Sequence, residues 1–297
     1  MDSQNTENYL AFLNNYIEKR SLQAFYPHGS ETLVSIAKQA DSLVKSVHPK
    51  FVQSPEVAMD MSLLALYRIV LLLDDSGSMK LSEGGRRIKA LQVFLTRITE
   101  ISTHFVSDGI TIRWFNKLEG VNNVKDINKI PEIVKSNPFR GWTKIGTELR
   151  DKVLEPFVLR PARENTLKKP VMVLIITDGE PAGEAPGTLK SVILQSQRHL
   201  RRLKYARTAV SFQIARVGNS PTAKDFLHRL DVDPEIGYSV DCIAEEGIEK
   251  AEQLLGEDDD FSIADLWLTK LLLGAIMEGY DQMNDGGEDD ENEGGKA

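Results

Sequence analysis

Cysteine is almost absent from this sequence. Cys242 is the single cysteine among 297 residues, so no disulfide can form within the chain. Small extracellular folds that depend on disulfides for their stability are therefore excluded. The five histidines do not have the spacing of a zinc finger or ribbon, and one cysteine cannot supply the missing thiolates. A structural zinc site is not expected, and Cys242, within an apolar run, is interpreted as a small core residue.

Long hydrophobic runs are also missing. No apolar stretch approaches the roughly 20 residues that a helix needs to cross a bilayer, and the best candidate, 261–280, is interrupted by Asp265, Lys270 and Glu278. The N-terminal MDSQNTENYLAFLNNY has neither the basic region nor the continuous apolar region of a secretory signal. We therefore expect an intracellular protein that does not enter a membrane. The cytoplasm is the expected compartment, with the nucleus as the alternative.

The chain has no excess of positive charge. It contains 36 Lys and Arg against 44 Asp and Glu, a net charge of −8 at pH 7. Residues 284–297 hold six acids and one lysine, a net of −5, which leaves −3 for the remainder. Because nucleic-acid affinity comes mainly from a cationic surface, no nucleic-acid partner is expected. The Gly-rich, acidic segment 284–297 has no large apolar residue and is predicted to be a disordered tail.

One local basic segment, QRHLRRLKYAR, stands against this background. It contains Arg198, Arg201, Arg202, Lys204 and Arg207. RNA, a membrane surface or an acidic partner are possible ligands for such a segment. We favour a solvated helix face, with Leu200 and Leu203 turned inward.

What the sequence does contain is an alternation of apolar runs and helical patterns from about residue 67 onward. That order is typical of repeated β-α units around a mostly parallel sheet. The candidate strands are YRIVLLLD (67–74), GITIRWF (109–115), PVMVLIITD (170–178), AVSFQIARV (209–217) and YSVDCIA (238–244). The first and third are apolar nearly throughout, as central strands are. The sequence predicts a three-layer, Rossmann-like, doubly wound α/β fold with one antiparallel edge strand, which we place at 109–115.

Helical periodicity separates these strands. In 86–106 an apolar residue recurs every three or four positions, which marks one buried face. Further helices are predicted at 146–158, 187–205, 222–230 and 261–282. Helix-like pieces near 5–20, 31–47 and 55–65 indicate an N-terminal helical extension. We therefore divide the chain into an extension at 1–62, an α/β domain with a C-terminal helix at 63–283, and the acidic tail at 284–297.

The sharpest local motif is LLLDDSGSMK, in which an apolar strand ends in polar residues. The crevice beyond the carboxyl ends of parallel strands is where ligands bind in open α/β sheets. Asp74, Ser76 and Ser78 are spaced two apart and converge on one point if the turn wraps, and Gly77 permits close backbone approach. Carboxylate and hydroxyl oxygens are hard ligands that suit Mg²⁺, Mn²⁺ or Ca²⁺.

Two further motifs follow in order along the chain, GWTKIGTEL (141–149) and IITDGEP (175–181). Together with Asp-x-Ser-x-Ser, they resemble the von Willebrand factor A domain family and its metal-ion-dependent adhesion site. The resemblance covers about 67–245. It implies that Ser76 and Ser78 bind the cation directly, and that Asp74 and Asp178 bind it directly or through water. It also implies that Thr143 enters or leaves the coordination sphere with the ligand state.

The resemblance further implies a binding function, in which an open metal position captures an Asp or Glu carboxylate of a protein partner. One residue departs from the family pattern, since Trp142 stands where many members have glycine. Trp142 either grips the partner together with Phe139 and Arg140, as aromatic and Arg residues do at interface hot spots, or packs on a neighbouring helix.

Two other classes of function stay open. A Mg²⁺-dependent hydrolase or phosphotransferase of the haloacid dehalogenase type also has an Asp motif at a strand end, but its second acid would fall at position 76, which is serine. The other alternative is a scaffold whose metal site only stabilises loops. No P-loop, dinucleotide-binding, nucleophile-elbow or His-Glu-x-x-His motif is present. We therefore expect no enzymatic activity.

Overall fold

The computed structural model describes residues 3–47, 54–243, 247–255 and 263–280. Six strands form one sheet in the order β3-β2-β1-β4-β5-β6. Their bounds are β1 Arg68–Leu73, β2 Ile110–Trp114, β3 Val121–Val124, β4 Val171–Thr177, β5 Val210–Arg216 and β6 Val240–Ile243. All neighbouring pairs are parallel except β2 with β3. The predicted three-layer, mostly parallel α/β fold is confirmed.

The antiparallel edge strand is not where the sequence placed it. The strand predicted there, β2, runs parallel to β1, with Val70 opposite Thr111. The antiparallel strand is β3, whose VNNV sequence is exposed at all but its last residue. A strand this short and polar carries no hydrophobic alternation, so sequence patterning could not find it. Its exposed asparagines suit an edge, where a polar strand discourages pairing with other chains.

The middle of the sheet is the pair β1 and β4. Their side chains are buried nearly throughout, and alternate residues face opposite helical layers. The register pairs Arg68 with Val171 at one end and Leu73 with Ile176 at the other. The two strands therefore begin together and end together. As a result, residues 74 and 178 leave the sheet side by side.

Helices cover both faces of the sheet. Their bounds are α1 Ser3–Lys19, α2 Glu31–Val47, α3 Pro55–Met61, α4 Gly77–Leu81, α5 Arg86–Phe105, α6 Ile130–Lys135, α7 Ile145–Glu148, α8 Arg160–Arg163, α9 Thr188–Arg202, α10 Pro221–Asp231, α11 Gly247–Gln253 and α12 Ile263–Leu273. A π-helix, Leu149–Leu159, joins α7 to α8 without a break. Short 3-10 helices occupy Ser62–Leu66, Glu83–Gly85, Ile127–Lys129, Arg207–Ala209 and Gly237–Ser239.

The three N-terminal helices share a hydrophobic core with the sheet. Leu13 and Ile17 of α1 belong to the same buried cluster as Leu71 of β1 and the apolar face of α5. The Tyr16 hydroxyl lies 2.8 Å from the Tyr67 hydroxyl and donates to the carbonyl of Ile276 at 2.8 Å. These buried bonds connect α1 to the start of β1 and to the turn after α12. The N-terminal helices are thus part of the layer on that face.

The C-terminal helix is shorter than predicted. It ends at Leu273, and 274–280 form turns instead of continuing the helix to 282. A side chain at Gly274 would place a Cβ 2.0 Å from the Asp241 carboxylate, so the chain packs against β6 here. The predicted tail at 284–297 lies outside the described residues. Within the described ranges, no helix is long and apolar enough to span a membrane.

Candidate metal centre

Asp74 begins the loop that leaves β1, and its side chain is fully buried. One carboxylate oxygen accepts a hydrogen bond from the backbone N–H of Ser76 at 2.8 Å. The other accepts from the Thr177 hydroxyl, at the end of β4, at 2.7 Å. These two contacts turn the chain sharply after β1 and tie the loop to the neighbouring strand. They hold the carboxylate in one orientation at the carboxyl edge of the sheet.

Three further oxygens form a chain beside Asp74. The Ser76 and Ser78 hydroxyls are 3.0 Å apart, and the Ser78 hydroxyl donates to an Asp178 carboxylate oxygen at 2.9 Å. Asp178 follows β4 directly, so the contact joins residues 100 positions apart in the sequence. Ser76 and Asp178 are buried, whereas Ser78 is exposed. The cluster therefore opens to solvent on the Ser78 side.

Thr143 lies in a third loop, which the backbone holds against the other two. The carbonyl of Gly141 accepts from Gly77 N–H at 3.4 Å, and the carbonyl of Thr143 accepts from Ala182 N–H at 2.9 Å. Thr143 is therefore brought to the same edge as the other four predicted residues, and it is buried. Hydrogen bonds that involve a side-chain oxygen link those four residues to one another. The loop that carries Thr143 is instead fixed by backbone hydrogen bonds.

Two carboxylates so close together affect each other. Burial, and after it the negative charge of Asp178, raises the pKa of the Asp74 carboxyl to about 7. Hydrogen bonds from Ser76 and Thr177 oppose that rise. The carboxyl edge therefore carries an electrostatic strain that a positive charge relieves.

Arg87 supplies part of that positive charge and was not predicted from the sequence. It lies in the first turn of α5, is buried, and donates to Asp178 at 2.5 Å and to Glu83 at 2.7 Å. Gly218 leaves room for it, since a Cβ there would come within 2.6 Å of its guanidinium. The Arg-Arg pair at 86–87 gave no signal, because such pairs are ordinary on solvated helix faces.

Asp75 is a second unpredicted anchor. Its fully buried carboxylate accepts from the backbone N–H groups of Asn116, at 2.7 Å, and Lys117, at 3.0 Å. The Asn116 side chain in turn bonds both the N–H and the carbonyl of Trp142, at 3.1 and 3.0 Å. A Cβ at Gly141, where φ is +108°, would come within 2.2 Å of that amide. Asp75 thus fixes the loop before Thr143 instead of facing the cluster.

Glu184 fixes the loop that follows Asp178. Its carboxylate accepts from the backbone N–H groups of Gly146 at 2.9 Å and Thr147 at 2.8 Å, and from the Thr147 hydroxyl at 2.8 Å. Those N–H groups belong to the first turn of α7 and have no partner within the helix. The three loops are therefore held by buried or half-buried carboxylates as well as by the strands.

The oxygen cluster fits a hard divalent cation. Neighbouring ligands in an octahedral Mg²⁺ sphere are about 2.9 Å apart, which matches the Ser76–Ser78 and Ser78–Asp178 separations of 3.0 and 2.9 Å. The same lengths are ordinary hydrogen bonds, so the cluster is stable without a metal. Across the described residues, no group of three or more His, Cys, Asp or Glu side chains is arranged to hold a metal. The candidate centre has only two carboxylates and relies on hydroxyls.

The rim of the centre differs in part from the sequence interpretation. Trp142 is 63% exposed, and Arg140 is exposed beside it. Trp142 packs on Gly183 of the loop after β4. Phe139, however, is buried and meets Trp114 edge-on at 6.0 Å, so its expected place at the rim is wrong.

No protein-family model and no curated protein sequence matches this chain. The solved structure of proximal thread matrix protein 1 from the mussel byssus aligns with a TM-score of 0.42 at 17% identity, covering 71% of this chain and 46% of that one. This chain thus spans less than half the length of that protein. Similarity at this level carries no argument about function, and the resemblance to von Willebrand factor A domains stays a prediction.

Proposed function

We propose that this protein is a divalent-metal-dependent protein-binding module of the von Willebrand factor A type. The observation that carries the proposal is the convergence of Asp74, Ser76, Ser78 and Asp178 at the carboxyl ends of β1 and β4. Thr143 on the adjacent loop completes the donor set. Mg²⁺ is the expected cation, with Mn²⁺ or Ca²⁺ as substitutes, because every donor is an oxygen.

The charges of the cluster suit capture of an acidic partner. Two carboxylates offset a divalent charge, but Arg87 already takes up part of the charge of Asp178, and hydroxyls add none. A bound cation would therefore keep a net attraction for a further carboxylate. Ser78 is the exposed member of the cluster, so an Asp or Glu side chain of the partner would approach from that side. Trp142 and Arg140 would contact the partner around it.

Calorimetric titration with Mg²⁺ or Mn²⁺ tests the metal step. Ser78→Ala removes the exposed hydroxyl donor, so we expect metal affinity to fall at least about tenfold. Ser82→Ala is the matched control, since it removes a hydroxyl just past α4 that belongs to none of the site contacts. Asp74→Ala is expected to have a larger effect, because it removes a charged ligand. Unchanged metal binding in both site variants would place the metal elsewhere.

Affinity purification with Mg²⁺ or with a chelator tests the partner step. A partner of the proposed kind should no longer copurify when a chelator is added or when the Thr143→Ala variant is used. Replacing the partner's key Asp or Glu by Asn or Gln should also weaken binding, because a neutral amide is a poorer ligand for a divalent cation. A protein retained by the Ser78→Ala and Thr143→Ala variants would not use this site. Binding that needs no metal would favour the scaffold alternative.

The phosphotransferase alternative has less support. Position 76 carries a hydroxyl where that chemistry uses an acid. Turnover of p-nitrophenyl phosphate with Mg²⁺, abolished by Asp74→Asn, would favour catalysis and overturn the binding proposal. Cytoplasmic or nuclear location belongs to the proposal as well, and imaging of a tagged full chain would check it.

A further inference from the structure

A cavity of about 520 Å³ lies at the opposite edge of the sheet, where the parallel strands begin. Arg68, the first residue of β1, lies at its side, and Thr111 of β2 lines it from the sheet. Phe157 of the π-helix also lines it. The remaining lining comes from Asp108, Gly109, Asn123, Pro161, Thr166, Leu167, Lys168 and Lys169. Its volume lies within the range of about 300–1,000 Å³ that is usual for small-molecule sites.

Positive charge dominates the cavity. Three of its lining residues, Arg68, Lys168 and Lys169, are cationic, and Asp108 is the single acid among them. Asp108 favours the charged forms of both Arg68 and Lys169. Within the part of the chain that the structure describes, however, no ion pair joins it to either. The cations of the cavity are therefore under-compensated.

A fourth cation, Arg113, contacts the Phe157 ring that lines the cavity. The guanidinium groups of Arg68 and Arg113 lie 4.6 and 4.8 Å from the centre of the Phe157 ring. Burial lowers the pKa of Arg113, and the charge of Arg68 lowers it further. Burial also lowers the pKa of the Lys169 ammonium, which donates to the Ala65 carbonyl at 3.2 Å. Like charges are thus held together at a partly desolvated site, an arrangement that an anion stabilises.

We infer that this cavity binds a phosphorylated small molecule of about nucleotide size. Arg68 and Lys169, with Lys168 at the rim, would hold the phosphate, since a guanidinium forms paired hydrogen bonds to phosphate oxygens. Phe157, Pro161 and Leu167 offer apolar surface to the organic part, and Thr111, Asn123 and Thr166 offer hydrogen bonds. Asp108 disfavours a second negative group on its side of the cavity. The inference does not depend on the proposed metal-dependent function.

Titration calorimetry in EDTA, with inorganic pyrophosphate, AMP and ATP as probes and adenosine as the uncharged control, tests the inference. EDTA removes any route by which ATP could bind through a metal at Asp74. We expect a dissociation constant of about 1 mM or lower for at least one phosphate-bearing probe, and none measurable for adenosine. Failure of all three phosphate probes would overturn the inference, as would adenosine binding as tightly as AMP.

Variants separate the cavity from general attraction of anions. Arg68→Gln combined with Lys169→Gln is expected to weaken probe binding at least about tenfold. Arg201→Gln combined with Arg202→Gln removes the same charge from the exposed face of α9, and binding should persist. Equal losses in the two double variants would show non-specific attraction and overturn the inference. If the cavity double variant does not fold, Lys168→Glu at the exposed rim takes its place, and it should also weaken probe binding relative to the α9 double variant. Ser78→Ala should leave probe binding unchanged.

Discussion

The two edges of the sheet use charge in opposite ways. At the carboxyl edge acids outnumber cations, since Arg87 pairs with both Asp178 and Glu83 while Asp74 lies beside Asp178. At the amino edge three cations share one acid around an open cavity of about 520 Å³. The acids of the first edge are held by internal hydrogen bonds and open to solvent on the Ser78 side, whereas the cations of the second edge line an open cavity. A protein with a net charge of −8 thus presents a cationic site as well, so net charge alone does not predict its ligands.

Both edges nevertheless depend on one strand pair. The pairing of β1 with β4 brings Arg68 beside the residues that precede Val171, and the same pairing brings Asp74 beside Asp178. Five residues of β1, 69–73, separate Arg68 at one edge from Asp74 at the other. The strands therefore position each group, while the loops and helices decide whether it finds a partner within the protein. The comparison can be tested by removing charge from each edge in turn.

The largest expected effect comes from Arg87→Met. It leaves the buried Asp178 and half-buried Glu83 carboxylates without their shared cation, so the free energy of unfolding should fall by about 3 kcal/mol in EDTA. Arg68→Met removes an exposed guanidinium at the other edge and should cost less than about 1 kcal/mol. Chemical denaturation of both variants measures the difference. Adding Mg²⁺ should restore part of the lost stability in Arg87→Met but not in Arg68→Met. Equal losses of stability in the two variants would contradict the contrast between the edges.

A smaller effect is expected from Asp74→Asn. The pKa of native Asp74 is about 7, above its ordinary value of 3.8, so between these values the native state binds more protons than the unfolded state. Metal-free stability should therefore rise as pH falls through 7, by up to about 1.4 kcal/mol per pH unit, and be lost again as pH rises.

The Asn variant isolates that contribution. Its stability in EDTA should lack this part of the pH dependence, and at pH 8 it should equal or exceed that of the wild-type chain. The Thr177 hydroxyl can bond the Gly179 carbonyl, 3.2 Å away, when the acceptor at Asp74 changes. Parallel stability profiles for the two proteins between pH 5 and pH 8 would show that Asp74 is not the strained group.

The smallest effect on stability is expected from Trp142→Ala. Its side chain is 63% exposed, so the free energy of unfolding, measured by thermal denaturation, should change by less than about 0.5 kcal/mol. Partner binding at the carboxyl edge should weaken at least about tenfold if the indole contacts the partner. Phosphate-probe binding at the amino edge should not change. A large loss of stability would instead give Trp142 a role in holding the loop after β4.

The sequence predicted the parts of the fold that rest on continuous patterns. The apolar runs of β1 and β4 and the periodic face of α5 are local signals that burial enforces, and the structure has all three. The Asp-x-Ser-x-Ser motif and Asp178 could be recognised because they directly follow β1 and β4. Neither β3 nor Phe139 could be placed, because a polar edge strand has no hydrophobic signal and the burial of Phe139 depends on distant Trp114.

Arg87 and the amino-edge cavity were missed for a related reason. Arg87 acquires its role only where α5 meets the loop after β4. The cavity is assembled from segments that begin β1, precede β2 and β4, and follow the π-helix. Its cations are Arg68 and the distant pair Lys168 and Lys169, and lysines and arginines are ordinary surface residues. Proximity of this kind is a property of the tertiary fold.

The number of residues in the π-helix Leu149–Leu159 determines how its side chains are oriented relative to one another. Its wide turns accommodate more residues than an α-helix of the same pitch. At its start Lys152 donates to the carbonyls of Trp114 and Phe115, and near its end Phe157 lies against Arg68 and Arg113. Deleting one residue between these two would rotate Phe157 by roughly a quarter of a turn relative to Lys152. A related chain with one residue more or fewer between these positions would therefore keep the carboxyl-edge motif but lose the aromatic wall of the cavity.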